Sequence, residues 1–313
     1  TRRIFGDYVS TYDFNRSIQD GATVPLYYEN RGEKLQLHNP KINQEIRETI
    51  EQHDLDSNQE DKLKKLFARE YPILTSEKRL RAIAKDVVQH FNTRGYKGKA
   101  MFEALDKVTA VKMYDYITEA WESYLEEQQK EIQKIQDKQE QLSRQQQWQW
   151  SKETEIAVVV SHEQNEIEKF EAWELDIEPH RLKMNTSDLE KDFKDENHPF
   201  RFAIVCAMWI TGFDVISLST MYIDKPLKSH TLMQTIARAN RIHKDKNNGL
   251  IVDYIETYKA LLEALAIYGD SDSNGGSGDA PVKPLEELIE DLRESVKITE
   301  QFLSDECKFK LSK

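Results

Sequence analysis

Four side chains around Gln234 have the types and the spacing to bind a negatively charged ligand. They lie at helical intervals along one stretch: His230, Gln234, Arg238 and Arg241. Because each helical residue turns the chain by about 100°, this spacing predicts one helix face that carries all four. The face contains no acidic residue, and Lys244 and Lys246 follow it, whereas a solvated helix normally mixes both signs of charge. The pattern favours an anionic ligand.

Two arginines one turn apart meet a requirement of phosphoryl transfer, in which negative charge builds up on the equatorial oxygens of the transferred phosphate. The alternative is a surface helix whose cations bind acidic residues of their own fold. The preceding stretch favours the first interpretation. There Gly212 allows the backbone to approach a ligand closely, and Asp214 follows the end of an apolar strand.

Residues 208–214 and 234–241 closely resemble motifs V and VI of superfamily 2 helicases, in the form found in the R subunit of type I restriction-modification enzymes. In that superfamily motif VI has the pattern Gln-x-x-Gly-Arg-x-x-Arg. This chain differs in having Ala237 where glycine is usual, a mild departure because alanine favours a helix. The resemblance covers most of the chain except residues 126–150 and the C-terminus, and it includes residues 5–8, 20–21, 98–102 and 158–161.

The resemblance implies the second RecA-like lobe of an ATP-driven translocase on double-stranded DNA. It implies that Arg241 is the arginine finger and that Arg238 binds the same phosphates. Gln234 would couple these phosphates to the DNA side. Gly212 and Asp214 would line the cleft between the lobes, near the nucleotide and the DNA.

The candidate DNA contacts are Lys107, Ser161 and Thr211. Two alternatives stay open, because Lys107 could simply be solvated and Ser161 could cap a helix over residues 163–173.

The sequence contains no Gly-x-x-x-x-Gly-Lys-Ser/Thr phosphate loop and no Asp-Glu-x-His type magnesium motif after an apolar strand. The resemblance implies that ATP and Mg²⁺ are bound mainly by a first lobe upstream of Thr1. We therefore expect a fragment that is inactive alone and binds no cofactor or metal by itself. The implied partners are double-stranded DNA, the first lobe and nuclease domain of the same parent chain, and methylation and specificity subunits, with no membrane.

Two other functions remain open at this stage. One is a non-catalytic motor-like module that binds DNA or subunits, and the other is a helicase that separates strands, although no wedge element can be identified. The sequence before Thr1 would separate the motor from the non-catalytic module, because the motor needs a phosphate loop there.

Composition limits the class of protein. The chain has 313 residues, of which 38% are hydrophobic and 32% charged, and no apolar run approaches the roughly 20 residues of a membrane span, so we expect a cytoplasmic protein. The net charge of −12 argues against a protein that coats nucleic acid indiscriminately, but it allows a local basic groove. Cys206 and Cys307 are too few and too distant to suggest a disulfide framework or a zinc site.

We divide the chain into four parts: residues 1–75 as an interlobe connection, 76–268 as the second RecA-like lobe, 269–283 as a flexible linker and 284–313 as a C-terminal helix. Strands at about 100, 157, 203, 221 and 250 predict a mostly parallel α/β sheet with helices on both faces. Ligand residues, including Lys225, should gather at the carboxyl ends of its strands. A further strand over residues 23–28 should lie at an edge, since Pro25 cannot donate to a ladder.

Residues 126–150 form a polar insertion with ten glutamines, predicted as a protruding helix or a helical hairpin. Trp148 and Trp150 either anchor its return to the core or stack on nucleic-acid bases. A helix over residues 258–268 should cover the sheet. The last helix, residues 285–303, either packs back on the lobe or begins a further helical region.

Overall fold

The computed structural model describes residues 14–34, 71–210, 212–227, 229–243, 246–255 and 282–284, with single positions between 289 and 299. The strands within these ranges are β1 (Leu26–Asn30), β2 (Lys99–Glu103), β3 (Glu155–Val160), β4 (Phe200–Cys206), β5 (Leu218–Ile223), β6 (Gly249–Asp253) and β7 (Val282–Pro284). They form one seven-stranded sheet in the order β3-β4-β2-β5-β6-β1-β7, and each neighbouring pair is parallel.

The described helices connect and cover these strands. They are α1 (Phe14–Gln19), α2 (Arg31–Lys34), α3 (Tyr71–Leu74), α4 (Glu77–Thr93), α5 (Lys107–Ile132), α6 (Lys138–Lys152), α7 (Glu166–Glu171), α8 (Glu178–Thr186), α9 (Leu189–Lys194) and α10 (Ser229–Ile236). None of the helices in the described part of the chain is long and apolar enough to cross a membrane.

The sheet is buried on both faces. Along β2, Phe102 packs with α4 and α5 in one cluster, while Met101 points into a second cluster with α9 and α10. In β4, Ile204 and Val205 alternate in the same way. Strands covered on both sides have continuous apolar sequences, which is why these segments could be identified from the sequence. The predicted RecA-like α/β fold class, a parallel sheet with flanking helices, is confirmed.

The glutamine-rich insertion is a helical hairpin, one of the two predicted forms. Helix α5 continues without a break to Ile132, and α6 begins after Asp137, whose carboxylate accepts the N–H groups of Gln139 and Glu140 at 2.8 Å. The indole N–H of Trp148 donates to the Leu125 carbonyl at 2.9 Å. Trp150 stacks on Phe91 of α4, with ring centroids 5.5 Å apart, so Trp150 anchors the returning helix to the lobe, whereas the Trp148 bond joins the two helices of the hairpin.

The edge position predicted for the strand near Pro25 is wrong. Strand β1 lies between β6 and β7, and β7 forms the described edge. Pro25 stands just before β1, where it needs to offer only its carbonyl, which accepts the N–H of Gly249 at 2.9 Å. Residues 26–30 therefore belong to the same sheet as residues 76–255, which the division after residue 75 did not anticipate. Strand β7 likewise includes two residues assigned to the linker 269–283.

The C-terminal segment is described at few positions. Those positions are helical, and the apolar side chains among them are exposed: Ile289, Leu292 and Val296. These three side chains do not pack back on the lobe, contrary to one of the two alternatives. The helix predicted over residues 258–268 lies outside the described residues.

Candidate functional site at the carboxyl ends of the strands

The first motif is the segment 208–214, which resembles motif V of the helicases. Its described residues belong to a loop that leaves the carboxyl end of β4. Gly212 is exposed within it and has a φ of +73°, and a Cβ placed there would meet no atom within 4 Å. The glycine is therefore favoured for its left-handed backbone and not for lack of space. Thr211 lies outside the described residues, so its predicted DNA contact remains a prediction.

Two non-glycine residues of this loop also have left-handed backbones, with a φ of 60° at Ala207 and 66° at Trp209. Such conformations cost free energy and persist only where the surroundings enforce them. The Ala207 N–H donates to Glu103 Oε1 at 3.1 Å, and the Trp209 ring stacks on Phe213 at 4.3 Å. Phe193 of α9 supports the same ring from 5.4 Å. The loop is thus held from the sheet below and from an aromatic cluster beside it.

A buried ion pair lies beneath the loop. Lys225 Nζ is 3.6 Å from Glu103 Oε1, and both side chains are only 1% exposed. Burial raises the pKa of Glu103 to about 7, against the opposing effects of Lys225 and the Ala207 N–H. Among the described residues, Glu103 Oε2 has no hydrogen-bond partner. Lys225 follows the carboxyl end of its strand as predicted, but its side chain is buried and supports the loop from below.

The second motif, residues 234–241, does not form one continuous helix face. The sequence-based prediction of a single helix that carries Gln234, Arg238 and Arg241 is therefore wrong. Helix α10 ends at Ile236, and the backbone then tightens: the N–H of Arg238 bonds to the Thr235 carbonyl three residues back. Ala239 and Asn240 must turn there because the Asn240 carbonyl accepts the N–H of Val24 at 2.8 Å, next to β1. The arginines of the motif consequently lie beyond the helix. The apolar side chains of α10, Leu232 and Ile236, are fully buried.

Arg238 connects the two motifs. Its Nε donates to the Ile210 carbonyl at 2.9 Å and its Nη1 to the Phe213 carbonyl at 2.5 Å. Desolvation lowers the pKa of Arg238, and the positive charge of Arg241 acts in the same direction. The guanidinium therefore fixes the first-motif loop to the turn after α10. The phosphate contact assigned to Arg238 from the sequence stays a prediction beside this structural role.

Arg241 and Asp214 form an ion pair between the two motifs. Arg241 Nε is 3.2 Å from Asp214 Oδ1, and the side chains are 48% and 57% exposed. An exposed pair of this kind contributes about 0–1 kcal/mol to stability, so a ligand with stronger charge can displace it. Gln234, near the end of α10, is also exposed. The His230 side chain lies outside the described part of the structure.

The lysines that follow the second motif do not extend its cationic face. Lys246 is buried, and its Nζ donates to the Leu218 carbonyl at 2.6 Å. Burial lowers the pKa of Lys246 to about 7. Lys244 is not among the described residues. The sequence-based view of Lys246 as part of an anion-binding surface is therefore wrong, because its ammonium group is used inside the fold.

Two of the predicted DNA contacts lie at the carboxyl ends of β2 and β3. Lys107 Nζ is 3.3 Å from Glu163 Oε2, and its side chain is 13% exposed, so it is not simply solvated. Ser161 is exposed. The residue that precedes α7 is Asn165, so the alternative that Ser161 caps this helix is wrong. The DNA contacts of Lys107 and Ser161 remain predictions.

Sequence reasoning missed a buried ion pair at the end of β5. Arg79 of α4 donates through Nη1 to Asp224 Oδ2 at 3.0 Å and to the Leu74 carbonyl at 2.9 Å. Burial raises the pKa of Asp224 against the effect of Arg79. A signal for this buried arginine existed in the sequence, because Arg79 stands one turn before Ile83 on an apolar stripe.

No group of three or more His, Cys, Asp or Glu side chains in the described ranges could hold a metal ion.

The chain thus has a parallel α/β sheet of the RecA-like fold class, with glutamine and arginine donors near the edge where the strands end, the place where ligands bind in such sheets. The family model for type I restriction enzyme subunit R domain 3 matches residues 96–256, about half of the chain. The chain therefore belongs to that family. A SWI2/SNF2 ATPase family model matches residues 1–61.

Individual relatives agree with the family match. The chain is 35% identical over 268 residues to the putative type I restriction enzyme MjaIXP endonuclease subunit of Methanocaldococcus jannaschii, covering 85% of this chain and 22% of that protein. It is 31% identical over 286 residues to the HindI endonuclease subunit of Haemophilus influenzae, covering 88% and 23%. The chain thus spans less than a quarter of these relatives.

Among solved structures, a fragment of a putative HsdR subunit of a type I restriction enzyme from Vibrio vulnificus aligns with a TM-score of 0.49 and 14% identity. The alignment covers 83% of this chain and 38% of that one.

Proposed function

We propose that this chain supplies the second motor lobe of an ATP-dependent translocase on double-stranded DNA, within the R subunit of a type I restriction enzyme. The observation that carries the proposal is the half-exposed Arg241, which Asp214 of the other motif holds at 3.2 Å. A cation in a weak surface pair can be transferred to a stronger anion, as an arginine finger requires.

The donors at this edge fit a phosphate that is held mainly by another domain. Gln234 and Arg241 offer exposed N–H groups, whereas the sequence has no phosphate loop that could enclose a triphosphate. ATP with Mg²⁺, bound chiefly by a first lobe, would supply the phosphoryl group and the free energy. The SWI2/SNF2 ATPase match at residues 1–61 supports a motor of this class.

Each residue then has a distinct part. Arg241 places a planar cation against the charge that develops on the transferred phosphate, an effect of about 10³ to 10⁵ in rate. Arg238, bonded to the Ile210 and Phe213 carbonyls, makes the first-motif loop move with the second motif. Gln234 couples this unit to the DNA side, and the exposed Gly212 and Asp214 line the cleft.

The DNA contacts we propose are local. Ser161 follows β3 and Lys107 follows β2 at the same edge of the sheet, where successive phosphates of a duplex could be contacted, and Thr211 is the third contact that we propose. The net charge of −12 makes the chain as a whole a poor surface for a polyanion, so we propose that the duplex is contacted locally, at this edge. The nuclease domain, the first lobe and the methylation and specificity subunits complete the proposed assembly.

The test is the DNA-stimulated ATP turnover of the full-length subunit with Arg241→Ala. We expect turnover to fall by about 10³ or more, with ATP affinity reduced modestly. The matched control is Arg81→Ala, which removes an arginine that is 44% exposed and paired with Glu119 on the other side of the lobe. Turnover of Arg241→Ala within about twofold of the control would contradict the proposal and favour a non-catalytic module.

A further inference from the structure

A cavity of about 320 Å³ lies between α5, the returning helix α6 and the segment that links α4 to β2. Its lining includes Lys97, which precedes β2, so the cavity is at the amino end of that strand. The candidate motor site occupies the carboxyl ends. The two sites are therefore separate. The glutamine-rich hairpin, which has no role in the proposed motor, forms part of the cavity lining.

Aromatic rings with fixed orientations form part of the lining. Tyr124 of α5 is nearly buried, and Trp148 is held by its N–H bond to the Leu125 carbonyl at 2.9 Å. Trp150 stacks on Phe91 at 5.5 Å and has the Arg201 guanidinium over its ring at 4.9 Å, so it forms a fixed wall of the cavity, and Trp148 is partly exposed. Rings that are already ordered lose little conformational entropy when a flat ligand stacks on them.

The polar lining consists of amides and cations. Gln128 and Gln147 supply amides from both helices of the hairpin, and Arg144 and Lys97 supply positive charge. None of the described residues that line the cavity is acidic, in a chain with 56 Asp and Glu. Burial raises the pKa of Tyr124, which lines the same cavity as Arg144, and the positive charge of Arg144 opposes that rise.

We propose that this cavity binds one nucleotide unit of single-stranded nucleic acid. Aromatic rings stack on a base of any identity, amides bond to its edge, and the two cations bind its phosphate. The volume is at the small end of the range for ligand sites, roughly 300–1,000 Å³, and suits one nucleotide. The same chemistry would accept a free nucleotide, and the experiment below separates the two sources.

The experiment is photocrosslinking with the full-length subunit. An eight-nucleotide strand containing 5-iodouracil is irradiated with the protein, and mass spectrometry locates the crosslinked peptide. We expect crosslinks in α5 or α6 near Tyr124 or Trp148. Arg144→Glu should reduce their yield roughly tenfold, because it reverses the charge that binds the phosphate. Lys138→Glu is the matched control, since it makes the same charge change on an exposed residue of α6 outside the cavity.

Three results would overturn the proposal. The first is the absence of crosslinks in both helices while other regions of the protein react. The second is equal yield in Arg144→Glu and Lys138→Glu. The third is equal crosslinking of 5-iodo-dUMP and the strand at the same nucleotide concentration, which would assign the cavity to a free nucleotide. Arg241→Ala should leave these crosslinks intact, so failure of the motor proposal and failure of this one can be distinguished.

Discussion

Asp214 and Arg241 form an ion pair that joins the loop after β4 to the turn after α10, with 3.2 Å between Oδ1 and Nε. A few residues away, Arg238 joins the same two segments through the Ile210 and Phe213 carbonyls. The two arginines differ in what they can do next. Arg238 is committed to backbone acceptors, whereas Arg241 has a partner at the surface that a phosphate could replace.

Arg238→Ala should destabilise the isolated chain by about 1.5–3 kcal/mol, because it removes a charged donor from two carbonyl acceptors. Urea unfolding of the chain measures this change. Arg238→Lys should recover little, since one ammonium group cannot reproduce the fork that reaches both carbonyls. Arg81→Ala, which removes an exposed arginine, should change stability much less than Arg238→Ala. Equal effects of the alanine substitutions at 238 and 81 would show that the Arg238 bonds contribute no stability.

Glu103 should make stability depend on pH. Its pKa is raised from 4.5 to about 7 in the folded chain by burial, so between these values the folded state binds more protons than the unfolded state. This contribution is fully present below the unfolded pKa and is lost as the pH rises through about 7. Stability should therefore fall between about pH 5 and about pH 8, and Glu103→Gln should reduce that fall.

Urea midpoints at both pH values measure the effect. Glu119→Gln, which alters a carboxylate that is 64% exposed, is the control and should retain the pH dependence of the parent chain. If Glu103→Gln shows the same fall in stability as this control, the buried carboxylate is not the titrating group.

The sequence predicted those parts of the fold and site that depend on local patterns. The apolar runs around Phe102 and Ile204 identify strands buried on both faces, and the spacing of Gln234, Arg238 and Arg241 locates the donors near one another. The end of α10 at Ile236 could not be predicted, because it depends on the contact between Asn240 and Val24. Pairings between distant segments leave no local pattern.

The buried charges show the same limit. Glu103 ends β2 and Lys225 lies two residues after the end of β5, and charged residues at such positions are usually exposed or face a ligand. Their pairing beneath the loop follows from the neighbouring positions of β2 and β5 in the sheet, which only the strand order reveals. Strand β1 is a comparable case, since its register with β6 places residues far apart in sequence side by side.

The isolated chain should hydrolyse no ATP above background. The proposed finger lies on this chain, whereas the sequence contains no phosphate loop to hold the nucleotide. Release of inorganic phosphate by the purified chain, with and without duplex DNA, measures the activity, and the full-length subunit provides the positive control. DNA-stimulated turnover by the pure chain would contradict the assignment of nucleotide binding to another domain.

Arg241→Lys separates a role in the transition state from a structural role. If the planar fork of Arg241 bridges two oxygens of the transferred phosphate, lysine should restore little of the turnover lost in Arg241→Ala, because it offers a single point charge. Melting of the isolated chain should hardly change in either variant, since the pair with Asp214 is about half exposed and weak. An arginine that merely fixed the turn would give the opposite pattern: a lower melting temperature in Arg241→Ala, partial recovery in Arg241→Lys, and near-normal turnover per folded molecule in both. Melting of the two chain variants, together with steady-state turnover of the two full-length variants, therefore decides whether Arg241 acts in the reaction.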